Sequence, residues 1–288
     1  MKAVKYLIGT TLVLASFVSC TTTTVVSPEN NIVPLQSIAK EGDTLLVIDA
    51  NSEREIISSL LGDTISGKAE RITLEITPKS DEYPLTDFDI NAVLEGKFPS
   101  FLTKVVLSGS SDEMARDDGY PYYIVDGNQV GVLKTNMLGY STQSYASLAA
   151  AIDKKGEYVS KEDVLNLYNS DIGFFALKPQ TIFDLGLGLT QPMIQHMDSI
   201  LIVINTDGEN VLSATFNLDS DNSAKTLNKL VKMGYIGQLK KAGEKLDYSV
   251  LKIMFTEDGD IVNIKGMPLT DEQMVGLTDS ITSTSRGK

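Results

Sequence analysis

The chain has 288 residues, is 42% hydrophobic, and carries a formal charge of −13 from 25 basic and 38 acidic side chains. So large an acidic surplus repels phosphates, which makes DNA and RNA poor partners and argues against simple electrostatic binding to anionic headgroups. The apolar content is that of a globular chain, long enough for one large core or two small ones.

The chain opens as an export signal: Lys2 and Lys5 form a positive start, an apolar run extends from Tyr6 to Val18, and Ser19 precedes Cys20. The run falls short of the roughly 18 to 20 apolar residues that a spanning helix needs. Cys20 is the only cysteine, so it has no intramolecular disulfide partner. Phe17-Val18-Ser19-Cys20 resembles a bacterial lipobox of the looser spirochaetal kind, with Phe17 where leucine is commonest. The resemblance implies a signal peptide at 1–19 and a diacylglycerol, with acyl chains such as palmitate, on Cys20. Two or three such chains, at about 0.8 kcal/mol per buried methylene, hold a protein stably on a membrane. Thr21, with no aspartate beside the cysteine, points to the outer rather than the inner membrane. Residues 20–40 then read as lipidated cysteine and flexible tether, since Thr21 to Pro34 contains four threonines, Ser27, Pro28 and Asn30-Asn31.

Beyond the tether, segments recur at an offset of 128: Asp43–Val47 with Asp171–Phe175, Arg71–Ile76 with Ser199–Ile204, and Phe88–Ile90 with Phe216–Leu218. The register then slips by four, pairing Asp126-Gly127-Asn128 with Asp258-Gly259-Asp260. This divides the chain into a first repeat, 41–169, and a second, 170–288. Each begins with an apolar strand (Thr44 to Asp49; Ile172 to Leu177) and a helix (Ser52 to Leu61; Gln180 to Leu189). In the first repeat, strands at Ile72 to Thr77 and Leu85 to Asn91 follow, and their alternating apolar residues fit a half-buried sheet. A helix comes next, near Pro99 to Leu107 and Ala224 to Met233. Hairpins at Tyr122 to Lys134 and Ser249 to Lys265 turn on their Asp-Gly pairs. Helices close the repeats at Thr142 to Asp153, Ser160 to Asn169 and Asp271 to Thr282. Ser160 is placed to cap its helix, with Glu162 and Asp163 favouring the helix dipole. The segment order resembles the ferredoxin-like split βαβ arrangement. The expectation is an α+β fold, a tandem duplication of a βαββαββ unit with sheets covered by helices.

Catalytic motifs are scarce. His196 is the single histidine and lies in Met193-Ile194-Gln195-His196-Met197-Asp198 without partners at ligand spacing, so it reads as a helix-end or core residue. With Cys20 acylated, zinc and copper centres of the usual ligand types are not expected. There is no Gly-x-Ser-x-Gly elbow, and Gly186-Leu187-Gly188 has Gln191 where a dinucleotide loop needs its third glycine. Asp112-Glu113 with Asp117-Asp118, and Asp219 with Asp221, read as solvated loop charges rather than a calcium loop. No cofactor and no metal is expected.

The unusual feature is a long, weakly charged apolar segment: Ile182, Phe183, Leu185, Leu187, Leu189, Met193, Ile194 and Met197. A helical face packed on the sheet explains it, as it does the milder stripe Tyr145, Leu148, Ala149 and Ile152. The sharper reading makes the eight residues a contact for lipid or an apolar ligand, although no lysine or arginine flanks them. The loose lipobox, the length and the helix content resemble treponemal outer-membrane-associated lipoproteins with amphipathic helices. That resemblance implies membrane insertion or lipid binding rather than catalysis. The expected function is therefore non-enzymatic: a lipid-anchored envelope protein that binds a partner protein or an apolar ligand at the membrane. Two alternatives are an extracytoplasmic hydrolase with paired carboxylates and an assembly subunit of an outer-membrane complex.

Overall fold

The computed structural model describes residues 33–61, 66–79, 88–111, 113–152, 154, 156, 158–179 and 189–285. Its centre is a pair of antiparallel strands, β1 (Thr44–Asp49) and β8 (Ile172–Leu177), each buried at its first five positions. Continuous burial of this kind is what an unbroken apolar run produces when both faces of a strand are covered. On one side of the pair lie β2 (Ala69–Pro78), β3 (Phe88–Gly96), β7 (Met137–Ser141), β6 (Asn128–Lys134), β5 (Tyr120–Val125) and the edge strand β4 (Glu113–Asp117). On the other lie β9 (Met197–Asn205), β10 (Val211–Leu218), β12 (Ile261–Pro268) and the edge strand β11 (Phe255–Asp258). All twelve belong to one sheet, and every pairing between named strands is antiparallel.

The registers repeat at a fixed offset. Thr44 faces Ile76 on β2 and Ile172 faces Ile204 on β9, both residues displaced by 128. Leu46 and Phe174, also 128 apart, face each other at the centre. Farther out, Ile76 faces Ile90 whereas Ile204 faces Leu212, an offset of 122. Phe216 therefore sits where Leu94 does, not opposite Phe88 as the sequence match proposed. The cause is a β9–β10 connection (206–210) shorter than the β2–β3 connection (79–87). β12 pairs with β10 as β7 pairs with β3, so the tip at Asp258-Gly259 stands in the place of Thr135-Asn136 rather than Asp126-Gly127. The ferredoxin-like order is not adopted. A split βαβ unit sets non-consecutive strands side by side, whereas β2 lies between β1 and β3 and pairs antiparallel with both. The fold is mixed, a large antiparallel sheet with helices, within the α+β class.

Because Leu45 and Leu46 point to opposite faces of β1, the cores they join define two layers of helices. The larger core takes Leu46 and Ile48 with residues of α2 (Arg54–Leu61), α7 (Asp221–Ala242), α8 (Tyr248–Met254) and α9 (Asp271–Ser285). The smaller takes Leu45 and Val47 with α1 (Val33–Ile38), α4 (Tyr145–Ile152) and α5 (Lys161–Tyr168). Helix α3 (Ser100–Ser110) contacts β5 and β6, and α6 (Gln191–Ile194) is a single turn.

Local chemistry explains most boundaries. The expected cap at Ser160 accepts from the Asp163 amide, and the Asp126-Gly127 tip adopts φ of 50° and 80°. The Ser249 to Lys265 hairpin is only partly a hairpin. Asp247 accepts from the amides of Ser249 and Val250, which starts α8, and strand begins only at Phe255. Among the described residues no helix is long and apolar enough to cross a membrane.

Candidate functional site

Helix α7 extends for 22 residues, far beyond the expected Ala224 to Met233. Ser220 caps its start by accepting from the Ser223 amide, and Gly243, at φ 72°, closes its end with an amide shared by the Leu239 and Lys240 carbonyls. Ala224, Leu227, Asn228 and Val231 recur at helical spacing and face the larger core. Asn228 Nδ2 donates to Glu257 Oε2 on β11 at 2.7 Å, and the Tyr235 ring packs on Phe255 with centroids 5.6 Å apart. Helix α8 follows on the same side of the sheet and buries Leu251 and Met254.

The outward sides of these two helices are unusually apolar. Of the eight exposed large hydrophobic residues among those described, Leu230 and Met233 lie on α7 and Tyr248, Val250 and Ile253 on α8. Tyr248 and Ile253 are 76% and 72% exposed, values that place whole side chains in water. Leu230 and Met233 line a shallow groove with Lys225, Thr226 and Lys229. Charge is reversed here as well. Between Asp221 and Met254 seven lysines (225, 229, 232, 240, 241, 245 and 252) stand against three acids, Asp221, Glu244 and Asp247, in a chain of net charge −13. Exposed apolar side chains are thus interspersed with lysine on two consecutive helices.

Of the eight apolar candidates, Ile182, Phe183, Leu185 and Leu187 lie outside the described residues, as does Cys20. Leu189 and Met193 are partly buried against the larger core, while Ile194 and Met197 are 4% and 3% exposed within it. Those four face protein. Tyr145, Leu148, Ala149 and Ile152 are likewise buried.

Groups that resemble catalytic sets have structural partners. His196 Nδ1 lies 2.7 Å from Asp219 Oδ2 at the entrance to α7. Ser223 and Ser220 donate to Asp219 Oδ1 at 2.7 and 3.1 Å, so the hydroxyls point at the carboxylate rather than at the imidazole. Hydrogen bonds from Ser223 and then His196 hold the Asp219 carboxyl below its usual range. The facing carboxyls that a hydrolase needs do occur, as Asp43 and Glu75. They are 4% and 1% exposed, walled in by Lys40 and Asn91. Among the described residues no group of three or more His, Cys, Asp or Glu side chains is placed to hold a metal ion.

No known protein family matches the chain, and no characterised protein matches it in sequence. Solved structures do match in fold. Crystal form I of TP0453 is similar at a TM-score of 0.57 and 10% identity, over 87% of this chain and 97% of that one. Crystal form IV is similar at 0.56 and 10%, over 88% and 99%. Crystal form III is similar at 0.56 and 11%, over 87% and 98%. At these identities the likeness is one of fold.

Sequence reasoning missed the α7–α8 face because it weighed charge over the whole chain. A running count of lysine against acid would have found it.

Proposed function

We propose that this protein is a lipid-anchored, non-enzymatic component of a bacterial cell envelope that rests its α7–α8 face on an anionic bilayer. The observation carrying this reading is the coincidence of exposed Leu230, Met233, Tyr248, Val250 and Ile253 with a local excess of lysine. Apolar side chains enter the acyl boundary while lysines, each contributing about 1 kcal/mol near an anionic surface, stay among the headgroups. Whole-chain acidity does not prevent this, because charges beyond a Debye length of roughly 8 Å are screened at physiological salt. The resemblance of Phe17–Cys20 to a lipobox supports an anchor that holds the body within reach of the surface. The fold likeness to TP0453 accords with the resemblance to treponemal lipoproteins. The repeated registers support reading 41–169 and 170–288 as a tandem duplication, in which α7 is a longer counterpart of α3.

A soluble form beginning at Thr21 tests the reading. It should float with phosphatidylcholine vesicles containing phosphatidylglycerol, and less with phosphatidylcholine alone or at high salt. Flotation no greater than that of an inert acidic protein overturns it. The anchor has its own test, because mass spectrometry of the native protein should find an acylated Cys20 at the amino terminus.

A further inference from the structure

The smaller core contains charge that membrane docking does not use. Glu75 on β2 stands between Leu45 on β1 and Asn91 on β3, on the face covered by α1. Asn91 Nδ2 donates to one Glu75 oxygen at 2.6 Å, and Lys40 Nζ donates to the other at 2.7 Å. Asp43, where the α1–β1 corner enters the strand, shares the Lys40 ammonium with Glu75, and its Oδ2 is buried with no hydrogen-bond partner. Lys40 lies 4.0 Å from that oxygen, and its side chain is 59% exposed. One ammonium thus faces two buried carboxyls. The other charges around the corner are already paired, Glu41 with Lys178 at 2.7 Å and Asp89 on β3 with Lys79 at 3.6 Å.

We propose that Asp43 and Glu75 form a proton-operated latch between the N-terminal segment and the sheet: with a proton between the carboxyls the α1–β1 corner is closed on β2, and loss of that proton opens it. Two neighbouring carboxylates with a single, solvent-reaching ammonium leave one negative charge without compensation in the interior, and water is the remaining source of solvation. The short path for water is along the corner, Ala39 to Gly42, held by the Gly42 amide on the Leu177 carbonyl at 2.9 Å and by Lys40. Leu35 and Ile38, at most 1% exposed, tie α1 to the core independently, so opening stays local. Burial and then the Glu75 carboxyl push Asp43 up to about 7 from 3.8. A raised folded-state value favours the closed corner at low pH and weakens it as pH rises through about 7.

Backbone hydrogen exchange on the full chain, corrected for intrinsic rates, tests this at about pH 5.5 and about pH 8.5, either side of the Asp43 value. Protection at Gly42 and its neighbours should fall about tenfold at the higher pH, the response to some 1.4 kcal/mol of lost closure. The fall should vanish in Asp43→Asn. If that variant does not fold, Glu75→Gln serves the same purpose, and failing both, a carboxyl NMR titration of the unsubstituted chain decides. Equal protection at both pH values, persistence of the fall in Asp43→Asn, or an Asp43 carboxyl titrating in the ordinary range overturns the latch.

Discussion

The two halves of the sheet share the registers of β1–β2 and β8–β9 but differ in what covers them. Around β1, β2 and β3 both faces are packed: Leu46, Ile72 and Leu94 in the larger core, Leu45, Val47 and Val93 in the smaller. Along β10 burial alternates strictly, with Leu212, Ala214, Phe216 and Leu218 buried while Val211, Ser213, Thr215 and Asn217 are half-buried. The first half thus encloses charge beneath α1 and α5, whereas the second carries its charge outward on α7 and α8. Similar strand frameworks can therefore serve different ends, depending on which face is closed.

The largest test of that contrast is truncation on both faces. Leu45→Ala and Leu46→Ala should each cost about 3 kcal/mol, and Phe216→Ala about 4, in urea unfolding. Thr215→Ala, one residue away on the uncovered face, should cost less than about 1 kcal/mol. A cost for Thr215→Ala equal to that for Leu45→Ala would mean that both faces of β10 are packed after all.

Next comes the charge row inside the first half. Arg71 faces Asp49 on β1 and Glu95 on β3, stacks 4.1 Å over the Tyr168 ring, and donates to the Tyr168 carbonyl. Glu95, 7% exposed, is raised by burial against the opposing pull of Arg71, and accepts from the Tyr168 hydroxyl at 3.2 Å. Arg71→Met should cost about 3 kcal/mol because it leaves a buried carboxyl without its cation. Adding Glu95→Gln should recover part of that loss, which a double-mutant cycle measures.

Asp43 makes stability itself depend on pH. Its folded value is raised to about 7, so the folded chain holds a proton that the unfolded chain has lost above 3.8. Stability from this group is present below 3.8 and is lost as pH rises through about 7, a change on the order of 4 kcal/mol. Asp43→Asn should flatten that decline, read from midpoints in a pH series, and be the more stable form above pH 7.

Membrane affinity tests the other half. Ile253→Asp on α8 should weaken vesicle binding by at least tenfold, since burying an isoleucine contributes roughly 1.5 to 3 kcal/mol. Its midpoint of unfolding should be unchanged, because the side chain is 72% exposed in the free protein.

How much of this the sequence discloses follows from the same contrast. β1 and β8 are legible to the residue because two covered faces demand an unbroken apolar run. Both Asp-Gly tips are legible because few residues tolerate their backbone angles. Glu75 is not, since between Leu74 and Ile76 it reads as the wet side of a half-buried strand until α1 closes over it. The start of α8 is hidden too, because Tyr248-Ser249-Val250 suits a strand and only the Asp247 cap makes it helical. Nor does α7–α8 announce itself, its lysines being outnumbered in the chain's total.

The smallest expected effects come from matched helix caps. Ser160 accepts from the Asp163 amide at 3.0 Å at the start of α5, and Ser220 from the Ser223 amide at 3.3 Å at the start of α7. Alanine at either position should cost about 1 kcal/mol. Their consequences should then separate. Ser160→Ala loosens a helix that closes the smaller core through Val164 and Leu167. Ser220→Ala frays only the first turn of α7, well before Leu230, so vesicle binding should persist at full strength. Loss of binding in Ser220→Ala would mean that the docking face depends on the whole helix, and would move the contact toward the His196–Asp219 pair at its entrance.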